Sequence, residues 1–370
     1  MKNIVMKSIS YLLLIFLVVI FTAFDEKKNE SDKIKTVNGS FISFLEMDKF
    51  LHSQMDSIGL PGLSIAIIND SKIIYHRTLG VTNVETKEKV SEETLFDAGS
   101  LSKTPFTYLV MKMVEKGILN LDQPLYTYLP YPDIAYDDRY KLITARMVLC
   151  HTSGFVNWRF LNKDNKLDIK FTPGTQFLYS GEGFEYLANV VAYLKNIKKN
   201  DLQDLFEKEV AAPLGMQYAF YTWNDYVEKL RATGHVDGKV FSTEWGTSTK
   251  NPNFYAAYSL QTEAISYAKF LIAMIREEGL KKATYDEMLK VHVETPSKTD
   301  SIPYCLGIRM KHSEFGNEYM HDGDNYNFTC AFMFNQEQKF GYVFFTNCNK
   351  GSEFNKKLEP FLTGKDASRR

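Results

Sequence analysis

The spacing of apolar positions changes its period along the chain, and each change marks a different kind of element. Phe41, Phe44, Leu45, Leu51, Met55 and Ile58 recur at helical spacing before Pro61-Gly62 stops the segment. Residues 63–68 and 73–79 are β-rich runs joined by Asn69-Asp70-Ser71, a polar trio suited to a tight connection, which predicts a hairpin. Near the other end, residues 306–310, 318–321, 328–334 and 342–346 read as strands, with Asn335-Gln336-Glu337-Gln338 as a second hairpin turn. Between them the period is helical over 101–115 (closed by Gly117), 184–194, 202–210, 264–276 and 285–289, and a last helix over 354–361 is expected to pack back on the sheet. Strands at both ends with helices between them predict an α+β fold: one antiparallel sheet built from N- and C-terminal strands, flanked by helices, plus an all-helical lobe over approximately residues 120–290. A cleft between the two parts is the natural place for a ligand.

Ahead of this pattern stand Lys2 and Lys7, an apolar run over residues 11–24, and the polar stretch Asp25-Glu26-Lys27-Lys28-Asn29-Glu30. That order reads as an export signal, so residues 1–24 are expected to be a signal peptide or N-terminal anchor and the protein periplasmic or extracellular. The run is shorter than the roughly 20 residues a spanning helix needs, yet with residues 8–10 added and left uncleaved it would tether the chain to a membrane. Residues 25–40 are expected as a polar linker, 41–364 as the folded domain and 365–370 as a polar tail.

The 370 residues carry a formal net charge of −1, with 44% hydrophobic and 24% charged content, an ordinary globular balance that attracts neither nucleic acid nor anionic lipid broadly. The expected partner is a small molecule or peptide, and no protein partner is inferred. Cys150, Cys305, Cys330 and Cys348 lack CxxC spacing, and four cysteines leave three full pairings open. The seven histidines show no HExxH or comparable ligand spacing, so no metal or other cofactor is expected.

Three segments carry candidate chemistry. In Phe96-Asp97-Ala98-Gly99-Ser100-Leu101-Ser102-Lys103 a small-residue turn enters an apolar helix, and positions three apart share a face, so Lys103 can approach the Ser100 hydroxyl. A lysine pressed into such a site can lose its proton and serve as base. SxxK alone is a common pattern. The second segment, residues 173–183, offers Tyr179 on a turn-rich run; it could relay a proton if neighbouring positive charge lowers its pKa, although 22 tyrosines make an ordinary packed ring the plain alternative. The third, Met320-His321-Asp322-Gly323-Asp324-Asn325, places a glycine in a late strand where backbone must approach a ligand closely. The N–H groups of Ser100 and Asp324 would then form an oxyanion hole. Glu182, at a helix start, is read as a capping acid before a catalytic one.

The order of these segments resembles the serine β-lactamase and penicillin-binding-protein superfamily, in which SxxK, a Tyr-Ser-Asn-like loop and a Lys/His-x-Gly strand meet in one cleft. Leu149-Cys150-His151-Thr152-Ser153-Gly154 and Pro213-Leu214-Gly215-Met216 are similar to the HTSG and PLGM segments of class C β-lactamase-related hydrolases, and Asn157-Trp158-Arg159 with His321-Asp322-Gly323-Asp324-Asn325 to their HxGDN subgroup. The resemblance spans roughly residues 41–361. It implies catalytic roles for Ser100, Lys103 and Tyr179, substrate contacts at Gly181, His321, Gly323 and Asn325, and bracing roles for His151 and Ser153. Gly181 stands where many relatives carry an asparagine that holds a substrate amide, and His321 where others carry lysine, departures that point away from efficient β-lactamase action.

The expected reaction is acyl transfer through a covalent Ser100 acyl-enzyme on an ester, amide or D-amino-acid peptide. The alternatives are a β-lactamase proper and a penicillin-binding sensor or binding module that does not turn over.

Overall fold

The computed structural model describes residues 32–241, 252–295 and 302–364. The expected export segment and the polar tail lie outside the described residues.

Helix α1 (Phe44–Ile58) begins at a reciprocal cap: the Ser43 hydroxyl accepts the Glu46 N–H at 3.2 Å and the Glu46 carboxylate accepts the Ser43 N–H at 2.8 Å. It ends at Gly59, whose φ of 77° suits a residue without Cβ. Met47, Leu51, Met55 and Ile58 form its buried stripe. Phe41 and Leu45, expected to share that stripe, are exposed instead, because Phe41 precedes the helix in a short strand (Phe41–Ser43) and Leu45 falls on the outer face. That strand pairs with Lys33–Lys35, and Ile34 and Val37 are buried, so the end of the stretch expected as linker belongs to the fold.

The central sheet has six antiparallel strands: β1 (Gly62–Asn69), β2 (Lys72–Gly80), β3 (Arg309–Ser313), β4 (Gly316–Asp324), β5 (Thr329–Asn335) and β6 (Phe340–Thr346). Their order is β3-β4-β5-β6-β1-β2, so the first hairpin joins the four late strands through β1 and β6. Alternate side chains serve two cores. Ile65, Ile67, Met333, Tyr342 and Phe344 face α1 and the last helix (Gly351–Thr363), whereas Ala66, Ile68, Phe332, Val343 and Phe345 belong to the larger core on the other side. Because both faces are covered, the central strands read as near-continuous apolar runs.

Helix α2 (Lys103–Glu115), helix α3 (Gly181–Leu194) and helix α4 (Ala264–Arg276) fall in that larger core. The helical lobe is smaller than expected, since α4 packs on β1, β2 and β6 and so belongs to the sheet's flanking layer. The helix expected over 202–210 is α-helical only to Phe206 and then widens into a π turn over Glu207–Ala211. The strand expected over 306–310 is displaced to β3, with Leu306 buried in the preceding loop. All four cysteines are buried free thiols; Cys330 donates to the Ala98 carbonyl at 3.1 Å, just before the candidate nucleophile.

Candidate active site

Helix α2 is entered through a 3₁₀ turn, Gly99–Ser102. In that tighter winding side chains at i and i+3 eclipse one another, which brings Lys103 Nζ to 3.2 Å from Ser100 Oγ. Buried tyrosines pin the turn from below: Tyr267 donates to the Leu101 carbonyl at 2.9 Å and Tyr221 to the Ser102 carbonyl at 2.6 Å. Ahead of it, Arg231 grips the buried Asp97 carboxylate through Nε at 2.8 Å and Nη2 at 3.1 Å.

Lys103 is fully buried. Its ammonium donates to Ser100 Oγ and, at 2.8 Å, to the Ala257 carbonyl, and it lies 4.8 Å above the Tyr179 ring. Burial pulls its pKa down to about 7, partly offset by the charge of Glu185. A large neutral fraction at ordinary pH makes it a competent base toward the serine.

Tyr179 departs from expectation. Burial drives its pKa upward, and interaction with Ser100 and the charge of Arg309 only partly oppose this, so it stays a neutral phenol rather than becoming a phenolate. Its hydroxyl is buried and, apart from that interaction with Ser100, has no hydrogen-bond partner among the described residues. The ring is backed by the His151 imidazole at 4.2 Å between centroids.

Strand β4 reaches Ser100 because two glycines remove side chains at the crossing. A Cβ on Gly323 would sit 2.2 Å from the Ala98 carbonyl oxygen, and one on Gly99 (φ 49°) 2.9 Å from the Asp324 nitrogen. Ser100 and Asp324 are thereby brought together to line a cavity of about 520 Å³, with Asn157, Tyr179, Tyr304, Arg309 and His321 among its other walls.

A directional chain of hydrogen bonds runs behind this cavity. The Ser180 N–H donates to His151 Nδ1 at 3.1 Å, and His321 Nδ1 faces the Asp322 carbonyl at 2.7 Å. An N–H can only donate and a carbonyl can only accept, so both ends are fixed. His151 Nε2–H must donate to Tyr304 Oη at 3.2 Å, and Tyr304 Oη–H to His321 Nε2 at 2.9 Å. Both imidazoles are neutral, with burial and the charge of Lys103 holding their pKa values well below the histidine range, and Arg309 adding to the effect on His321. His321 therefore has neither a charge nor a spare N–H for substrate. Arg309 is the cation on this wall: it pairs with Asp322, and its Nε is buried without a partner.

The other expected contacts fall elsewhere. Asn325 is buried, its amide turned toward Asp97 and the Tyr258 carbonyl at 3.5 and 3.4 Å, a brace behind the wall. Gly181 is covered by the Trp158 indole, 2.4 Å from where its Cβ would be. Glu182 is locked by Arg159, whose Nε and Nη2 reach it at 2.9 and 2.8 Å, and the cap of α3 is the Ser180 hydroxyl. His151 adopts φ 59° within the buried turn, and Ser153 Oγ accepts the Phe155 N–H at 3.3 Å. A second cavity of about 420 Å³ is walled by Trp158 together with Tyr131, Phe160, Tyr255 and Tyr258. Tyr304, Arg309 and Glu185 carried no motif signal, whereas Asn157 opens the Asn157-Trp158-Arg159 segment.

Residues 47–363 match the family described as Beta-lactamase. The chain belongs to the beta-lactamase family. It is 24% identical over 339 residues to Protein flp of Staphylococcus aureus (strain MW2), covering 86% of this chain but only 65% of that relative, so it spans less than two thirds of the staphylococcal protein. It is 32% identical over 117 residues to the mitochondrial serine beta-lactamase-like protein LACTB of Bos taurus, 31% of this chain and 20% of the relative. Among solved structures, the octameric penicillin-binding protein homologue from Pyrococcus abyssi superposes with TM-score 0.73 at 21% identity, covering 87% of this chain and 78% of that one. The D-alanine carboxypeptidase AmpC from Burkholderia cenocepacia gives 0.72 at 19%, covering 86% and 97%. The fold is that of the β-lactamase and penicillin-binding group, and membership supports a serine acyl-transfer hydrolase in general.

Proposed function

We propose that this beta-lactamase family member is a hydrolase that acylates itself at Ser100 and acts on an ester or amide substrate bearing a carboxylate, of which a D-amino-acid peptide is the leading example. The observation that carries the reading is the buried contact of Lys103 with Ser100, in a setting that lowers the lysine's pKa to about 7. Neutral Lys103 takes the Ser100 proton as Oγ attacks the carbonyl carbon. The N–H groups of Ser100 and Asp324 stabilise the resulting oxyanion. Tyr179 then donates its proton to the leaving group and is reprotonated by Lys103. Water then attacks the acyl carbon and gives its proton to Lys103, which passes it to Ser100 Oγ as the acyl–oxygen bond breaks, restoring the serine hydroxyl and the neutral lysine. The carboxylate preference rests on Arg309, whose guanidinium lines the Ser100 cavity beside its partner Asp322 while His321 there is neutral, so that a substrate carboxylate would compete with Asp322 for it.

Mass spectrometry after treatment with a fluorophosphonate tests the nucleophile: an adduct on wild type and none on Ser100→Ala supports it, and an unlabelled wild type sinks it. Turnover of nitrocefin, a p-nitrophenyl ester and a D-Ala-D-Ala peptide separates the substrate classes. A permanent adduct without turnover is the result a sensor would give. Export is part of the same proposal, motivated by Lys2, Lys7 and the apolar run that follows, and fractionation of cells producing the full chain tests it.

A further inference from the structure

Glu185 lies one residue beyond Phe184, whose ring faces the Lys103 ammonium at 5.5 Å, yet it makes no hydrogen bond to that lysine. Its Oε1 instead accepts the Ala257 N–H at 3.0 Å, and the carbonyl of the same Ala257 accepts Lys103 Nζ at 2.8 Å. One buried residue thus presents its donor to the carboxylate and its acceptor to the ammonium, an arrangement in which each charge polarises the groups that hold the other. Oε2 is occupied by Lys199 Nζ at 2.6 Å, and Lys199 lies over the Tyr255 ring in the second cavity.

Among the described residues, the other groups around Lys103 add no second counter-charge. Ser100 and Tyr179 are neutral, and His151 and His321, from the HTSG turn and β4, are held neutral by the bonds described above. Around Glu185, Tyr221 and Tyr258 feel its charge but stay protonated. The negative charge acting on Lys103 therefore comes from Glu185, and the cation fixing that carboxylate is Lys199.

We propose that Glu185 is a positioning residue which, anchored by Lys199 and acting through Ala257, governs when Lys103 can accept the Ser100 proton. This rests on the acyl-transfer reading of Ser100 and Lys103 and adds a control point outside the substrate cavity. Glutamine at 185 keeps an oxygen for the Ala257 N–H and removes only the charge, so Glu185→Gln makes Lys103 easier to deprotonate. Removing the opposing cation with Lys199→Met makes it harder.

The test is an NMR titration of [ε-¹³C]lysine-labelled full-length protein, with the Lys103 resonance assigned by its loss in Lys103→Arg, beside the pH dependence of Ser100 labelling by a fluorophosphonate. The expected result is a Lys103 midpoint lowered by about one pH unit in Glu185→Gln and raised in Lys199→Met, with the acid limb of labelling moving the same way in each. A purely structural role would weaken folding without moving the midpoint. An unchanged or raised midpoint in Glu185→Gln overturns the proposal, and if that variant does not fold, an unmoved midpoint in Lys199→Met does so. Absence of Ser100 labelling in wild type would overturn the hydrolase reading alone, because the titration reads Lys103 without catalysis.

Discussion

The Trp158 indole occupies the space a side chain at Gly181 would need, with its ring carbons 2.4 to 2.8 Å from an ideal Cβ there. The absence of a side chain at 181 is therefore coupled to the tryptophan, whose ring lies edge-on to Tyr258 and walls the second cavity. Gly181→Asn should lower stability by about 1–3 kcal/mol through overpacking. Combining it with Trp158→Ala should recover part of that loss, as measured by urea unfolding. Strict additivity in the double variant would contradict the coupling.

The proton inventory predicts a rate profile. Lys103 must be neutral to receive the serine proton, and its pKa near 7 places the acid limb of acylation there, with the rate rising tenfold per pH unit below it. In the proposed mechanism Tyr179 is a neutral donor, and burial raises its pKa, so no alkaline limb is expected below pH 10. Pre-steady-state acylation between pH 5 and 10 reads both, and a bell centred below 7 would contradict the roles given to the two residues.

Arg309 should discriminate substrates by charge. Its guanidinium lines the Ser100 cavity paired with Asp322, and a hydrogen bond to an ionised group contributes about 1.5–3 kcal/mol. Arg309→Gln is expected to reduce kcat/KM for a carboxylate-terminated peptide by roughly 10- to 100-fold while changing that for a neutral p-nitrophenyl ester only a few-fold. Equal losses on both would remove the argument for a carboxylate.

The sheet was legible because its central strands are covered on both sides: 328–334 and 342–346 fall within one or two residues of β5 and β6. Boundaries failed where burial does not follow the local pattern, as for Phe41 and Leu45, exposed aromatics and aliphatics with no sequence mark to distinguish them from Met47 or Leu51. Ser100, Lys103 and Tyr179 stood out because small residues and turns surround them. Tyr304 and Arg309 lie outside such turns: Tyr304 precedes β3, and Arg309 opens it opposite Met320 of β4, a cross-strand placement that no local spacing encodes. Tyr179 shows a further limit: the sequence tied its relay role to a neighbouring positive charge that would lower its pKa, whereas burial, which local spacing does not encode, raises it.

Tyr304 ties the turn carrying His151 to the strand carrying His321, and both imidazoles depend on its hydroxyl. Tyr304→Phe keeps the ring but strands a buried donor on His151 and a buried acceptor on His321, at about 1–3 kcal/mol for each unsatisfied group. The variant should unfold earlier in denaturant and lose kcat more than KM, since His151 backs the Tyr179 ring. Unaltered stability would show that the chain of bonds carries no net energy.

Lys103 itself should be a stability cost that catalysis requires. Free lysine titrates near 10.5 and the folded residue near 7, so between those values the unfolded chain holds a proton that the folded chain does not. Stability therefore rises with pH across that window, and below pH 7 the folded protein bears the full penalty of a buried charge. Lys103→Met removes the ionisable group at similar length. It should abolish Ser100 labelling while stabilising the fold by about 1–4 kcal/mol at pH 6, the range seen when buried charges give way to packed apolar groups. The gain should shrink steadily toward pH 10, where lysine in the unfolded chain also begins to lose its proton. Urea unfolding of both proteins at pH 6, 8 and 10 measures this, and a difference constant across that range would mean that the lysine's burial does not lower its proton affinity.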